Sequence, residues 1–143
     1  MDEKKAQLEI IQLSIYCDII MAILKYKNKL SINKIITFSF LIKKNKYYEK
    51  DVFSAHNKKY LVAKSLSLLS GLRDDYYDNI CYIIEAIDLL NCTEKIKVNN
   101  DMIYLNDPLY RNDTKISMFL KKSIDASDIF TDRQFLKEVI NNV

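Results

Sequence analysis

One glycine, one proline, one histidine and no tryptophan occur in this 143-residue chain. The shortage of glycine excludes the most. A phosphate-binding loop needs glycines where the backbone closes on the anion, so a Walker loop and a dinucleotide fingerprint are both ruled out. So few glycines and prolines fit long helices rather than loop-rich architecture. The lone histidine, in Ser54-Ala55-His56-Asn57, has no nucleophile and orienting group around it in a known arrangement, and reads as a surface-loop side chain. Cys17, Cys81 and Cys92 lie 64 and 11 residues apart with no Cys-x-x-Cys pair, so no four-ligand zinc site is expected. They read as small buried hydrophobes in a reducing compartment. The densest carboxylates are Asp74, Asp75, Asp78, Glu85 and Asp88. No Lys or His joins them in a nuclease pattern, and they read as helix caps and one exposed helix face. No catalytic residue, metal or cofactor is therefore expected, and no small-molecule substrate.

What is abundant is apolar surface. At 49% hydrophobic residues the chain can build a core without metal or disulfide staples, and its length suits one domain, 1–143. The net charge of +3 is unevenly spread. Residues 1–71 carry 13 Lys/Arg against 6 Asp/Glu, a balance of +7; residues 72–143 carry 9 against 13, a balance of −4. Such polarity suits a protein between two partners, or one basic face on nucleic acid, and equally an uneven solvated surface. Met1-Asp2-Glu3-Lys4-Lys5 does not read as a signal peptide. The apolar run Ile10 to Leu24 is interrupted by Gln12, Ser14 and Asp18 and is shorter than the ~20 residues of a membrane span, so it reads as a buried helix. A cytoplasmic protein without a membrane partner is expected.

Hydrophobic spacing divides the chain into helices and one hairpin. The first helix is expected from about Lys5 to Lys27, apolar nearly all round and hence central. Asn28-Lys29-Leu30 reads as a turn, with Ser31 capping a second helix, Ile32 to Lys44. Helix, short turn, helix is the opening of a helix-turn-helix. Asn45 to Lys59 shows no period. A third helix follows from Tyr60 to Ser70, with Gly71 at its C-cap. Asp74 or Asp75 is expected to cap a helix spanning Asp78 to Asn91, with Ile80, Ile83, Ile84, Ile87 and Leu90 on one face. The period then changes to two, and Asn99-Asn100-Asp101 suits a tight turn within a hairpin at about 95–105. Asp113 is expected to cap a fifth helix, and Thr131 with Gln134 forms a capping-box pattern ahead of Phe135, Leu136, Val139 and Ile140. The fold class is mainly α: a compact helical domain with a winged-helix-like helix plus β-hairpin.

Two sets of residues are candidates for contact with partners. Lys43, Lys44, Lys46, Lys50, Lys58 and Lys59 are interleaved with Tyr47, Tyr48 and Phe53, a pattern seen where proteins meet nucleic acid and also in ordinary solvated connections. Lys95 and Lys97 on the hairpin could touch a phosphate backbone. Tyr47, Tyr48, Phe53, Tyr76, Tyr77, Tyr104 and Tyr110 are candidate protein-interface anchors, because tyrosine is favoured there. In a winged helix the helix before the wing enters the major groove. Here that helix offers Asp78, Asn79, Glu85, Asp88 and Asn91, and its three carboxylates would repel phosphates.

The stretch Ile15-Tyr16-Cys17-Asp18-Ile19-Ile20-Met21-Ala22-Ile23-Leu24, continuing through Lys29 to Lys43, resembles the small middle components of bacterial ABC-three-component conflict systems, to which Lamassu-type antiphage systems belong. The helix-plus-wing and the exit Leu105-Asn106-Asp107-Pro108-Leu109 are similar too, so that the resemblance spans about residues 10–110. It implies a subunit that is not the enzyme. It would sit between an SMC-like ABC ATPase and an effector, often a nuclease, and hold the effector in check until foreign DNA is sensed, with DNA contacted through the assembled complex. The alternative is a free-standing winged-helix DNA-binding regulator, and a small nuclease is a distant third.

Overall fold

The computed structural model describes residues 2–47, 57–111 and 113–143. Of these residues 69% are helical, in six α-helices and one 3-10 turn, with one small antiparallel sheet. Helix α1 runs Asp2–Lys27, with Asp2 and Glu3 in its first turn and Lys25 and Lys27 in its last, charges that complement the helix dipole. Only its second half is interior: Tyr16–Leu24 is buried apart from Asp18, whereas residues 2–11 are exposed. By length and composition α1 could also cross a membrane, but the apolar segment Tyr16–Leu24 forms one wall of the core.

The segment expected to be a plain turn is a strand, β1, Lys29–Ser31. It pairs antiparallel with β3, Met102–Leu105, which also pairs with β2, Ile96–Asn99, giving the order β1-β3-β2. The hairpin lies where its period-two pattern placed it. Its turn is made possible by Asn100 at φ 59°, in the left-handed region that Asn tolerates. Leu30, Ile96 and Ile103 face the helices and are buried.

Helix α2, Ile32–Lys43, follows β1 directly. Ser31 occupies its N-cap, but the hydroxyl makes no capping bond; the Ile32 N–H instead donates to the Asp101 carbonyl of the hairpin turn at 2.8 Å. This helix, not α1, is the one enclosed on all sides. Ile35, Phe38, Phe40 and Leu41 are fully buried, and α1, α4, α5 and α6 all pack on it. Helix α3 runs Lys58–Ser67, capped by the Asn57 side chain, which accepts from the Tyr60 N–H at 3.3 Å. It ends earlier than expected, so Gly71, at φ +81°, belongs to the turn beyond it rather than to its cap.

Helix α4 runs Arg73–Cys92 and begins before the expected Asp78. Leu72 holds the cap position, and Asp74 and Asp75 lie inside the first turn, where the positive helix end favours carboxylates without their serving as caps. The buried face is Tyr76, Asn79, Ile83, Ala86, Ile87 and Leu90. Ile84, expected within that stripe, is exposed. Helix α5, Met118–Ala126, is capped by Ser117 and not Asp113; Ile116 therefore precedes it. Helix α6, Asp132–Asn142, starts with the expected capping box: Thr131 Oγ1 accepts from the Gln134 N–H at 3.2 Å, and Gln134 Oε1 accepts from the Thr131 N–H at 2.9 Å. Its apolar stripe splits, Phe135 and Val139 facing inward and Leu136 and Ile140 outward.

The elements α1, β1, α2, α4, β2 and β3 make the helix-plus-hairpin unit, with β1 as the third strand. Helix α3, between α2 and α4 in sequence, instead joins α5 and α6 against another side of α2. Phe38 of α2 meets Phe135 of α6 with ring centroids 5.6 Å apart. Of the three cysteines only Cys17 is buried; Cys81 and Cys92 are exposed, contrary to their reading as core residues, because the positions they occupy on α4 face away from α1 and α2.

Candidate interaction surfaces

The lysines proposed for nucleic acid divide into committed and exposed groups. Lys43 is half-buried; its Nζ donates to Asn79 Oδ1 at 3.1 Å and lies 5.2 Å from the centre of the Tyr16 ring. Lys44 is ion-paired to Asp75 at 2.7 Å, and Lys95 to Asp107 at 3.2 Å. Lys46, Lys58, Lys59 and Lys97 are exposed. Lys50 lies outside the described residues, as do Tyr48, Phe53 and His56. The cluster of lysines read from Lys43 to Lys59 is therefore not one uniform basic surface: its first two members are tied to α4.

Asn79 is the centre of that tie. Its Oδ1 accepts from the Tyr16 hydroxyl at 2.7 Å as well as from Lys43, and its Nδ2 donates to the Asp75 carbonyl at 2.7 Å and to Asp75 Oδ1 at 2.9 Å. Although Asn79 stands on the helix that precedes the wing, its side chain is buried, and its amide is spent joining α1, α2 and α4. Tyr76 is corrected likewise. At 4% exposure it is a core residue, edge-on to Phe40 and sharing a hydrogen bond with Thr37 at 3.0 Å, and offers nothing to a partner. Tyr110 is half-buried, its hydroxyl donating to Asp18 Oδ1 at 2.8 Å. Tyr47, Tyr77 and Tyr104 are exposed.

These buried hydroxyls and the Cys17 thiol have a consequence at alkaline pH. Burial first, then the Asp75 charge, moves the Tyr16 hydroxyl well above the ordinary tyrosine value. Burial, then the hydrogen bond and charge of Asp18, pushes Tyr110 up to about 12; burial, then Asp18, pushes Cys17 up to about 11. Below their ordinary values all three are protonated whether the chain is folded or not, and stability does not depend on them. Above those values the unfolded chain ionises first. Stability is then expected to fall progressively from about pH 9 to about pH 12. Urea unfolding measured across that range checks this, and Tyr110→Phe should flatten the upper part of the decline.

Two apolar surfaces were not read from the sequence. The first half of α1 leaves Leu8, Ile10, Ile11 and Ile15 at 60, 64, 52 and 37% exposure. The outer side of α6 presents Leu136 and Ile140 beside Arg133 and Lys137, along a groove of about 460 Å³. The spacing Leu8, Ile11, Ile15 was a visible signal, but it merged with the apolar run that continues into the core. A second cavity, of about 470 Å³, lies between β1 and the start of α6. Its carboxylates are partly matched: Asp128 pairs with Lys27 at 2.6 Å, and Asp132 Oδ2 accepts from Asn33 at 2.7 Å. No group of three or more His, Cys, Asp or Glu side chains that could hold a metal occurs among the described residues. Compared with protein-family models, with curated proteins and with solved structures, the chain matches none.

Proposed function

We propose that this chain is a non-catalytic adaptor and regulatory subunit of a bacterial antiphage defence complex. It links an SMC-like ABC ATPase to an effector, taken to be a nuclease, and restrains that effector until foreign DNA is sensed. It works in the cytoplasm. The observation that carries the reading is the α1 arm. Residues 2–11 stand clear of the core, and a ten-residue helix is ~15 Å long. Its aliphatic side chains at Leu8, Ile11 and Ile15 follow the i, i+3, i+7 spacing by which one helix docks against another. Burying such a side chain yields about 1.5–3 kcal/mol, a gain open to a partner and not used by this fold. The partner's identity rests on the family resemblance.

The acidic outer face of α4 weighs against a free-standing regulator that reads duplex DNA with this helix. Asp78, Glu85 and Asp88 are exposed there. Like charge against phosphate opposes groove entry. The test is affinity purification of the tagged full chain expressed with its neighbouring genes. Stoichiometric recovery of a large coiled-coil ATPase and an effector is expected. Recovery of a homodimer that retains duplex DNA, with neither of those proteins, would overturn the adaptor reading in favour of the regulator.

A further inference from the structure

The register of the sheet places three residues in one row across it. Lys29 of β1 pairs with Tyr104 of β3, and Tyr104 pairs with Lys97 of β2. Because side chains alternate along a strand, all three lie on the face opposite Leu30, Ile96 and Ile103, which are buried against the helices. All three are exposed, Tyr104 at 37%. Strands are about 4.8 Å apart, so the two lysine backbones flank the tyrosine at ~10 Å from one another. The result is an aromatic ring with an ammonium group on either side.

The strands themselves carry charge of one sign, while Lys29 also lines the cavity that Asp101, Asp128 and Asp132 line. None of the three strands contains an Asp or Glu. Neither Lys29 nor Lys97 makes an ion pair among the described residues, whereas Lys95 is held by Asp107. Toward the other end of β1 the face closes: Ser31 is buried and Met102 half-buried, beside the cavity that leads to α6. Lys34 in that cavity is spent on two backbone carbonyls and Lys27 on two aspartates, so Lys29 is the cavity's lysine without an ion pair among the described residues.

We infer that the row Lys29–Tyr104–Lys97 is a contact site for single-stranded nucleic acid, the tyrosine ring stacking on a base and the lysines neutralising the phosphates on either side of it. Stacking on tyrosine requires a base free of its neighbours, which a single strand supplies and a duplex does not. A single strand also needs only this narrow face. The site is independent of the adaptor reading, since it uses neither the α1 arm nor any partner.

The test is fluorescence anisotropy with the full chain and a labelled oligothymidylate of about 16 nucleotides, near the upper site size of small single-strand modules. Binding is expected to weaken with salt, and Lys29→Gln and Lys97→Gln should each reduce the log–log salt slope by about 0.7, the value for one phosphate contact on a single strand. Tyr104→Ala should weaken binding by roughly tenfold, while Tyr104→Phe, which keeps the stacking ring, should change it by about twofold or less. The three side chains are exposed, and unchanged thermal melts would establish that the variants fold. Failure to bind would overturn the proposal. So would tighter binding to a hairpin duplex, equal losses from the alanine and phenylalanine variants, or equal competition by polyglutamate, which would reduce the row to a charge-only surface for acidic peptides.

Discussion

Lys34→Ala is expected to destabilise the protein by about 2–5 kcal/mol, one of the largest losses available to a single substitution here. Lys34 is on α2 and only 7% exposed, yet it carries a potential charge. Its Nζ donates to the Ser127 carbonyl at 2.9 Å and the Phe130 carbonyl at 2.7 Å, at the first residue and the C-cap of the 3-10 helix Ser127–Ile129 that joins α5 to α6. Removing it takes the side-chain donor from the Phe130 carbonyl, at a cost of about 1–3 kcal/mol for a buried group, leaves the Ser127 carbonyl with the Phe130 N–H at 3.0 Å, and removes the packing of the four-carbon stem. The opposing term is real. Burial lowers the Lys34 pKa, and the nearby Asp128 and Asp132 charges only partly offset it. Lys34→Met separates the effects, since it keeps the stem and discards the charge. Urea unfolding should rank wild type above Lys34→Met and Lys34→Met above Lys34→Ala. A methionine variant as stable as wild type would mean that the two hydrogen bonds do no more than compensate for desolvating the ammonium.

Lys34 also shows where legibility in the sequence ends. In the sequence alone, helical periodicity sets Ile32, Ile35, Ile36, Phe40 and Leu41 on one side of α2 and Lys34 on or beside the other. The second face is buried as well, by α5 and α6, so a lysine that ought to reach water instead reaches carbonyls contributed from 93 and 96 residues further on. Phe38, opposite that stripe, was the available sign that α2 has two buried faces. The same reason explains Asn79 and Lys43: a helical face can be read locally, but which polar residue on it finds a tertiary partner cannot. Strand β1 went unread because three residues carry too little alternation, and its partners Met102–Tyr104 lie far along the chain. The hairpin, the Thr131 capping box and the helical character of the whole were legible because their signals are local. In α4 the local signal misled. Asp74 and Asp75 are good cap residues, but they serve the helix dipole from within the first turn.

Leu8→Glu combined with Ile11→Glu is expected to abolish recovery of the partner while leaving the fold intact, an opposite pattern to that of Lys34. Both side chains are more than half exposed on the α1 arm, before the buried segment that begins at Tyr16. Surface substitutions of this kind change stability by about 0.5 kcal/mol or less. Glutamate also propagates a solvated helix well. At an interface the effect is different. Each substitution would put a carboxylate where a partner's apolar groove closes, and loss of an anchor costs about 2 kcal/mol or more, so the pair should weaken association by more than ~100-fold. Circular dichroism and urea unfolding should superimpose on wild type, and the co-purified ATPase should disappear. Undiminished stoichiometric recovery would remove the observation on which the adaptor reading stands. The outer face of α6, where Leu136 and Ile140 lie beside Arg133 and Lys137, would then be the next apolar surface to substitute. A double variant that loses the ATPase but keeps the effector would assign the arm to one partner and leave the rest of the surface to the other, the division that a subunit placed between two proteins requires.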